Sequence, residues 1–299
     1  MGNRILAYIY AIIVLISYIT GFLTLQVNTM SKCINDLFGI SPIIIGIIVS
    51  ALTGITIFGG VRKIANTTSK LVPIMTVFYL TICMGIIIFN IKMLPSVIID
   101  IFNSAFNFKS FGIGILSTLI IGMQKGIFSS EVGLGTGSIA AVTADAQSPV
   151  KSGLVQTFGI HIENLIIATV TVFVICMSDY YNIMVNEPNG IEISLHAFKY
   201  HIGDLGSVII AITITLFALA TVLTGYYYGE SSLKFIKKTT VFDTFGLKIL
   251  TLVIIVIGSI ASSKVLWTIV DFMVGIIAII NIYAIFNLRK IVIAEYKKR

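Results

Sequence analysis

The sequence predicts an all-α membrane protein of about eight transmembrane helices. Three observations lead there: 57% of the 299 residues are hydrophobic, only 11% are charged, and the mean hydropathy is +1.03. Soluble domains carry roughly 25% charged and 45–50% apolar residues. The apolar residues here gather into repeated runs of about 20, the length that crosses a bilayer as a helix. A soluble enzyme, a nucleic-acid binder and a disulfide-stapled secreted domain are excluded.

The spans fall at about 4–27, 42–60, 71–91, 111–145, 150–177, 206–228, 246–262 and 266–288. The first begins at Arg4 and imitates a signal peptide, but its apolar run is too long and no small-x-small cleavage site follows. Between the third and fourth spans, 91–107 reads as a short amphipathic external helix containing Pro95. The connection 178–205 is the longest and most acidic loop, with Asp179, Glu187, Glu192 and Asp204, and Glu187-Pro-Asn-Gly190 is a turn signature. Residues 289–299 form a basic tail. The chain is one transmembrane domain, 1–299.

An even number of spans places both termini on one side. With that side cytoplasmic, fourteen of the twenty Lys and Arg residues lie inside, among them Arg4, Arg62, Lys63, Lys234, Lys237, Lys238, Arg289 and Lys290. That bias predicts a multi-pass protein of the cell membrane with both termini cytoplasmic. The net charge of +7 is therefore a topology signal rather than a nucleic-acid surface. Cys33, Cys83 and Cys176 show no CxxC or Cys/His pairing, so neither a metal site nor a disulfide framework is expected.

Ionisable groups inside spans are costly and point to function. Five occur: Lys125, Glu131, His161, Glu163 and Asp271. The densest stretch is Gly122-Met-Gln-Lys-Gly-Ile-Phe-Ser-Ser-Glu-Val-Gly-Leu-Gly-Thr-Gly137. Five glycines, a lysine and a glutamate predict a helix interrupted over 123–131, because loosened backbone at membrane depth survives only under a cover of protein or a water-filled cavity. Such a break frees backbone groups to hold a carboxylate, an ammonium group or a cation; close glycine packing is the simpler alternative.

A second pattern places Thr213, Phe217, Ala220, Thr221 and Thr224 on one helical face. Its hydroxyls suit an oxygen shell for a small cation, or bond the carbonyl four residues back and merely pack. His161-Ile-Glu163-Asn164 raises an intramembrane metallopeptidase, but one histidine and two glutamates fall short of a metal site. Asp271 either pairs with Lys264 or faces the bundle.

Lys125-Gly-Ile-Phe-Ser-Ser-Glu-Val-Gly-Leu-Gly resembles the Arg-Gly-x-Phe-Ser-Asn-Glu-Ala-Gly-x-Gly signature of the alanine/glycine:cation symporter (sodium:alanine symporter) family. The resemblance continues at Gln26-Val-Asn28, Gly59-Gly-Val-Arg-Lys-Ile64, Leu71-Val-Pro73, Pro149-Val-x-x-Gly-Leu-Val155, Thr169-x-Thr171 and Thr221-Val-Leu-Thr-Gly-Tyr-Tyr-Tyr-Gly-Glu230. It implies a fold similar to the leucine transporter, two inverted five-helix repeats. On that resemblance 4–91 is the last three helices of the first repeat, 111–288 is the second repeat, and the chain is N-terminally truncated, beginning three helices late.

The implied function is symport of a small neutral amino acid, such as alanine or glycine, coupled to Na⁺ or H⁺. It implies no enzyme activity and no cofactor. Around the pocket the resemblance places Gln26, Gly126, Phe128, Ser129, Ser130, Thr221 and Gly225. Thr221 would also offer oxygen to the cation, while Lys125, Glu131 and Glu163 would hold the broken helix, Lys125 and Glu131 as an ion pair. The chain departs from the signature at Lys125, Ser130 and Val132, and Gly225 stands where the family has a pocket tryptophan. The missing helices admit an alternative: a non-transporting fragment, or one subunit of a split transporter whose other part is a separate polypeptide.

Overall fold

The computed structural model describes residues 4–106, 113–144, 148–180 and 190–297. Helix α1 runs unbroken from Arg4 to Phe38, with a wider π-helical turn at Ser17–Phe22. It stops at Gly39, whose φ of 66° lets its N–H donate back to Asn35 O. A left-handed residue closing a helix in this way is usually glycine. Helix α2 (Pro42–Ile57) starts with proline in the first turn, where a missing N–H costs nothing. Helix α3 (Gly60–Phe89) carries Pro73 inside it. A 3₁₀ turn (Ile91–Met93) then leads into α4 (Leu94–Ala105).

The broken element follows as α5 (Ile113–Ser130) and a short α6 (Gly137–Ala141). Helix α7 (Pro149–Cys176) contains a second π turn, Ile162–Ile167. Then come α8 (Gly190–Ile202), α9 (Asp204–Ile236), α10 (Val241–Ile260) and α11 (Ser263–Lys297). Helix α10 is opened by a reciprocal cap: Thr240 Oγ1 accepts from the Asp243 N–H, and the Asp243 carboxylate accepts from the Thr240 N–H.

Each of the eight expected apolar segments contains helix within its described residues, and among the described residues six helices are long and apolar enough to cross a membrane. The interior is built around α9. One apolar cluster joins it to α1, α2 and α10 through Leu23, Val27, Val49, Ile57, Val222, Tyr226 and Ile255. A second joins it to α3, α7 and α8 through Cys83, Val174, Phe198 and Ile210. The third surrounds the break, with Tyr18, Phe22, Leu134, Tyr228, Val270 and Ile277. Gly46 lets α2 approach α10 closely, since a Cβ there would collide with Ser259.

Several boundaries differ from the sequence reading. The expected loop 178–205 contains α8, whose Leu195, Ala197 and Phe198 are buried; its acidic residues masked an apolar face. The Glu187-Pro-Asn turn lies outside the described residues. The third span begins at Gly60 rather than 71, because a helix continues through charged residues once it leaves the apolar layer. For the same reason 289–297, expected as a tail, continues α11.

Candidate functional site

The element expected to be interrupted is interrupted, but at 131–136 rather than 123–131. Helix α5 continues through Gly122, Lys125 and Gly126 to Ser130, and a Cβ at Gly122 or Gly126 would meet nothing within 4 Å. The chain turns where left-handed backbone is adopted three times, at Glu131 (φ 53°), Gly133 (φ 83°) and Gly135 (φ 85°). Glu131 is the one non-glycine with positive φ among the described residues.

Backbone that leaves a helix must find partners elsewhere. Four other helices supply them. Tyr10 of α1 donates to Leu134 O at 2.7 Å, and Asn281 of α11 donates to Gly133 O at 2.8 Å. Gln156 of α7 donates to Gly137 O at 3.0 Å. Tyr227 of α9 donates to Ile139 O at 3.2 Å. The break is thus a junction on which most of the bundle converges.

Glu131 sits at its centre. Thr136 donates its hydroxyl to Glu131 Oε2 at 2.8 Å, Tyr18 donates to Thr136 Oγ1 at 3.0 Å, and the hydroxyls of Tyr18 and Tyr228 also reach the carboxylate. Tyr18 is 1% exposed, stacked on Phe22 at 4.4 Å and set edge-on to Tyr228 at 5.0 Å. Phe22 in turn stacks on Phe128 at 5.1 Å, and Phe128 meets Trp267 at 5.3 Å. An aromatic row therefore runs from α9 through α1 and α5 to α11.

Lys125 does not pair with Glu131. Six residues of helix separate them, which turns the second about 120° from the first, and Glu131 leaves the helix altogether. Lys125 Nζ lies 2.9 Å and 3.0 Å from the two Asp271 carboxylate oxygens and 4.0 Å from the centre of the Trp267 ring. Asp271 therefore faces α5 and not Lys264. Glu163, in the π turn of α7, takes a hydrogen bond from Ser129 and lies close enough to Glu131 for the two charges to repel. His161 Nδ1 is 2.7 Å from Thr157 O on its own helix.

The remaining expected site residues are spread along three helices. Phe128 belongs to the aromatic row. Ser130 donates to Gly126 O at 2.7 Å, while Ser129 is exposed at the α5 end. Gln26 is half-buried one turn beyond Phe22 on α1. Thr221 donates to Phe217 O at 3.0 Å, and Thr213 and Thr224 likewise bond the carbonyl four residues back. Gly225 is buried against α1: a Cβ would come within 2.6 Å of Leu23 Cδ1 and 3.4 Å of Tyr18 Cδ1. None of these residues lines the cavity of about 450 Å³ between α4 and α7, whose walls include Ile98, Phe102, Val172 and Phe173.

Sequence reasoning missed Tyr18, Thr136, Tyr228 and Trp267. A tyrosine inside an apolar run was the available signal for the first, since its hydroxyl needs a partner at depth.

The sodium:alanine symporter family profile matches residues 1–298. The amino-acid carrier protein AlsT of Bacillus subtilis is 33% identical over 298 residues, covering 99% of this chain and 63% of its own length. The sodium/proton-dependent alanine carrier protein of Bacillus sp. PS3 is 34% identical, covering 89% of this chain and 63% of its own. The sodium/alanine symporter AgcS of Methanococcus maripaludis is 29% identical, covering 91% and 60% respectively. The chain thus spans somewhat under two thirds of these relatives' lengths. They lend no support to a separate polypeptide partner.

Proposed function

The chain belongs to the sodium:alanine symporter family, and on that premise we propose that it carries a small neutral amino acid, alanine or glycine, together with Na⁺ or H⁺ across the cell membrane. One observation carries the reading: a helix broken within the bundle, its carbonyls around the break held by side chains of α1, α7, α9 and α11. Broken helices at the crossing of a bundle are where transporters of this build bind substrate and ion. The relatives' names, which specify alanine and sodium or proton dependence, support the substrate class.

The amino acid would lie beside the break, among Gln26, Gly126, Phe128, Ser129, Ser130, Thr221 and Gly225, with Phe128 closing on its side chain. Both termini would be cytoplasmic, from the bias of basic residues. An inward Na⁺ gradient imposed on liposomes holding only the purified chain should drive accumulation of labelled L-alanine above the level in a K⁺ gradient. Uptake equal to protein-free liposomes would reject the transport reading and favour a non-transporting fragment.

A further inference from the structure

We infer that Glu131 is the carboxylate that binds the coupling cation, rather than a strut of the broken helix. This rests on the cation-coupled reading above but concerns a different residue from Thr221, whose hydroxyl already donates to Phe217 O.

Among the described residues the groups around the Glu131 carboxylate are neutral hydroxyls: Thr136, which donates to it, and those of Tyr18 and Tyr228. The cation nearest in sequence, Lys125, is held by both oxygens of Asp271. Among the described residues no ion pair includes Glu131. Glu163 approaches from α7 and adds a second negative charge. Tyr10 of α1 stands near the same group, its hydroxyl donating to Leu134 O. Among the described residues neither carboxylate has a counter-charge, and a carboxylate enclosed without one, as Glu131 is, is costly. A monovalent cation bound at Glu131 removes that cost.

The surroundings suit such an ion. Small hard cations take oxygen ligands, and Glu131 is ringed by hydroxyl oxygens on three separate helices or turns. The positive φ of Glu131 is a strained conformation for a side-chain-bearing residue. Strain of that kind persists where surrounding structure imposes it, commonly at sites of ligand binding. It turns the carboxylate out of the α5 axis toward Tyr18 and Tyr228. The shared chemistry of Na⁺ and H⁺ here is a single positive charge on this carboxylate.

Trp267 is the chain's one tryptophan and meets Phe128, three residues before Glu131, so its fluorescence reports on the site without transport. The full chain in lipid nanodiscs is titrated with NaCl against choline chloride at constant ionic strength. A second arm titrates pH in choline alone. A saturable change in the first arm identifies Na⁺, and one confined to the second identifies H⁺. Glu131→Gln should abolish the response or move its midpoint at least about tenfold. Glu163→Gln should move it less than Glu131→Gln. Glu131→Asp keeps the charge on a shorter arm and should keep a saturable response with a displaced midpoint, which serves if the glutamine variant does not fold. Wild-type titrations with no response in either arm, or variants at Glu131 that titrate like wild type, would overturn the inference. Alanine uptake that survives in Glu131→Gln with an unchanged cation response would sink this assignment and leave the symport reading standing.

Discussion

Helices α1 and α7 make the same departure from regularity and use it differently. Each carries a six-residue π turn near its middle, at Ser17–Phe22 and Ile162–Ile167, and each turn faces the break. In α1 the turn is enclosed: Ser17, Tyr18, Ile19, Gly21 and Phe22 are all buried. In α7 no residue of the turn is buried. The enclosed turn reaches the break with a ring and a hydroxyl, Phe22 on Phe128 and Tyr18 on Thr136. The open one reaches it with a carboxylate, Glu163, toward Ser129. A π turn re-aims side chains in both cases. The neighbours decide whether packing or charge is what it delivers.

The comparison is tested hardest at Tyr18. Tyr18→Ala removes a buried ring from the third cluster, its stack on Phe22, and the hydroxyl that holds Thr136. Emptying a buried aromatic position costs about 3–5 kcal/mol. A denaturation midpoint in detergent should fall accordingly. Glu163→Ala, made at the half-buried open turn, removes one hydrogen bond from Ser129 and should lower that midpoint by about 1 kcal/mol or less. Equal losses at the two positions would erase the distinction between the turns.

Neither π turn was legible in the sequence, and the reason is physical. Neither contains a proline, one is mostly apolar and the other carries Glu163 and Asn164, so no shared sequence signal marks them; a π turn is stabilised by what the helix packs against. The eight apolar segments were legible because bilayer thickness sets their length. The existence of a break was legible from glycine density, whereas its position was not. Gly122 and Gly126 sit within α5 with open space where a Cβ would stand, while Gly133 and Gly135 occupy left-handed backbone. A sequence counts glycines and does not say which of them need positive φ. The partner of Lys125 was illegible for another reason: Asp271 is 146 residues away, and only the packing of α11 on α5 joins them.

That ion pair sharpens the comparison from the break's other flank. Lys125 and Asp271 are 40% and 26% exposed at the side chain, so the pair is not an enclosed one. A double-mutant cycle with Lys125→Ala and Asp271→Ala should give a coupling of about 1 kcal/mol or less, the range of partly screened pairs. Lys125→Ala should also alter Trp267 emission, because the ammonium leaves the ring face. Unchanged emission would mean the contact is not kept in the membrane.

The smallest effect concerns how α7 is anchored. Its buried residues are Val170 and Val174, one turn apart, against the second cluster, and α8 adds a polar clamp. His201 Nε2 lies 3.0 Å from Val174 O, and Nδ1 faces the Asn90 side-chain amide at 3.5 Å. With the Val174 carbonyl fixing the proton on Nε2, Nδ1 is left to accept from Asn90. Burial pushes the His201 imidazole below its usual range, against a smaller opposing pull from the Val174 carbonyl. The neutral ring is therefore the folded form, and the unfolded chain binds the proton more readily. The clamp is at full strength above the unfolded value of about 6.5 and weakens as pH falls below it. Hydrogen exchange in the second half of α7 should quicken between about pH 7.5 and pH 5, after correction for intrinsic rates. Exchange in the enclosed middle of α1 should not. His201→Gln, which keeps an amide at the position, should flatten that dependence. An equal acceleration in α1, or an undiminished one in the variant, would show that α7 is not held by this histidine.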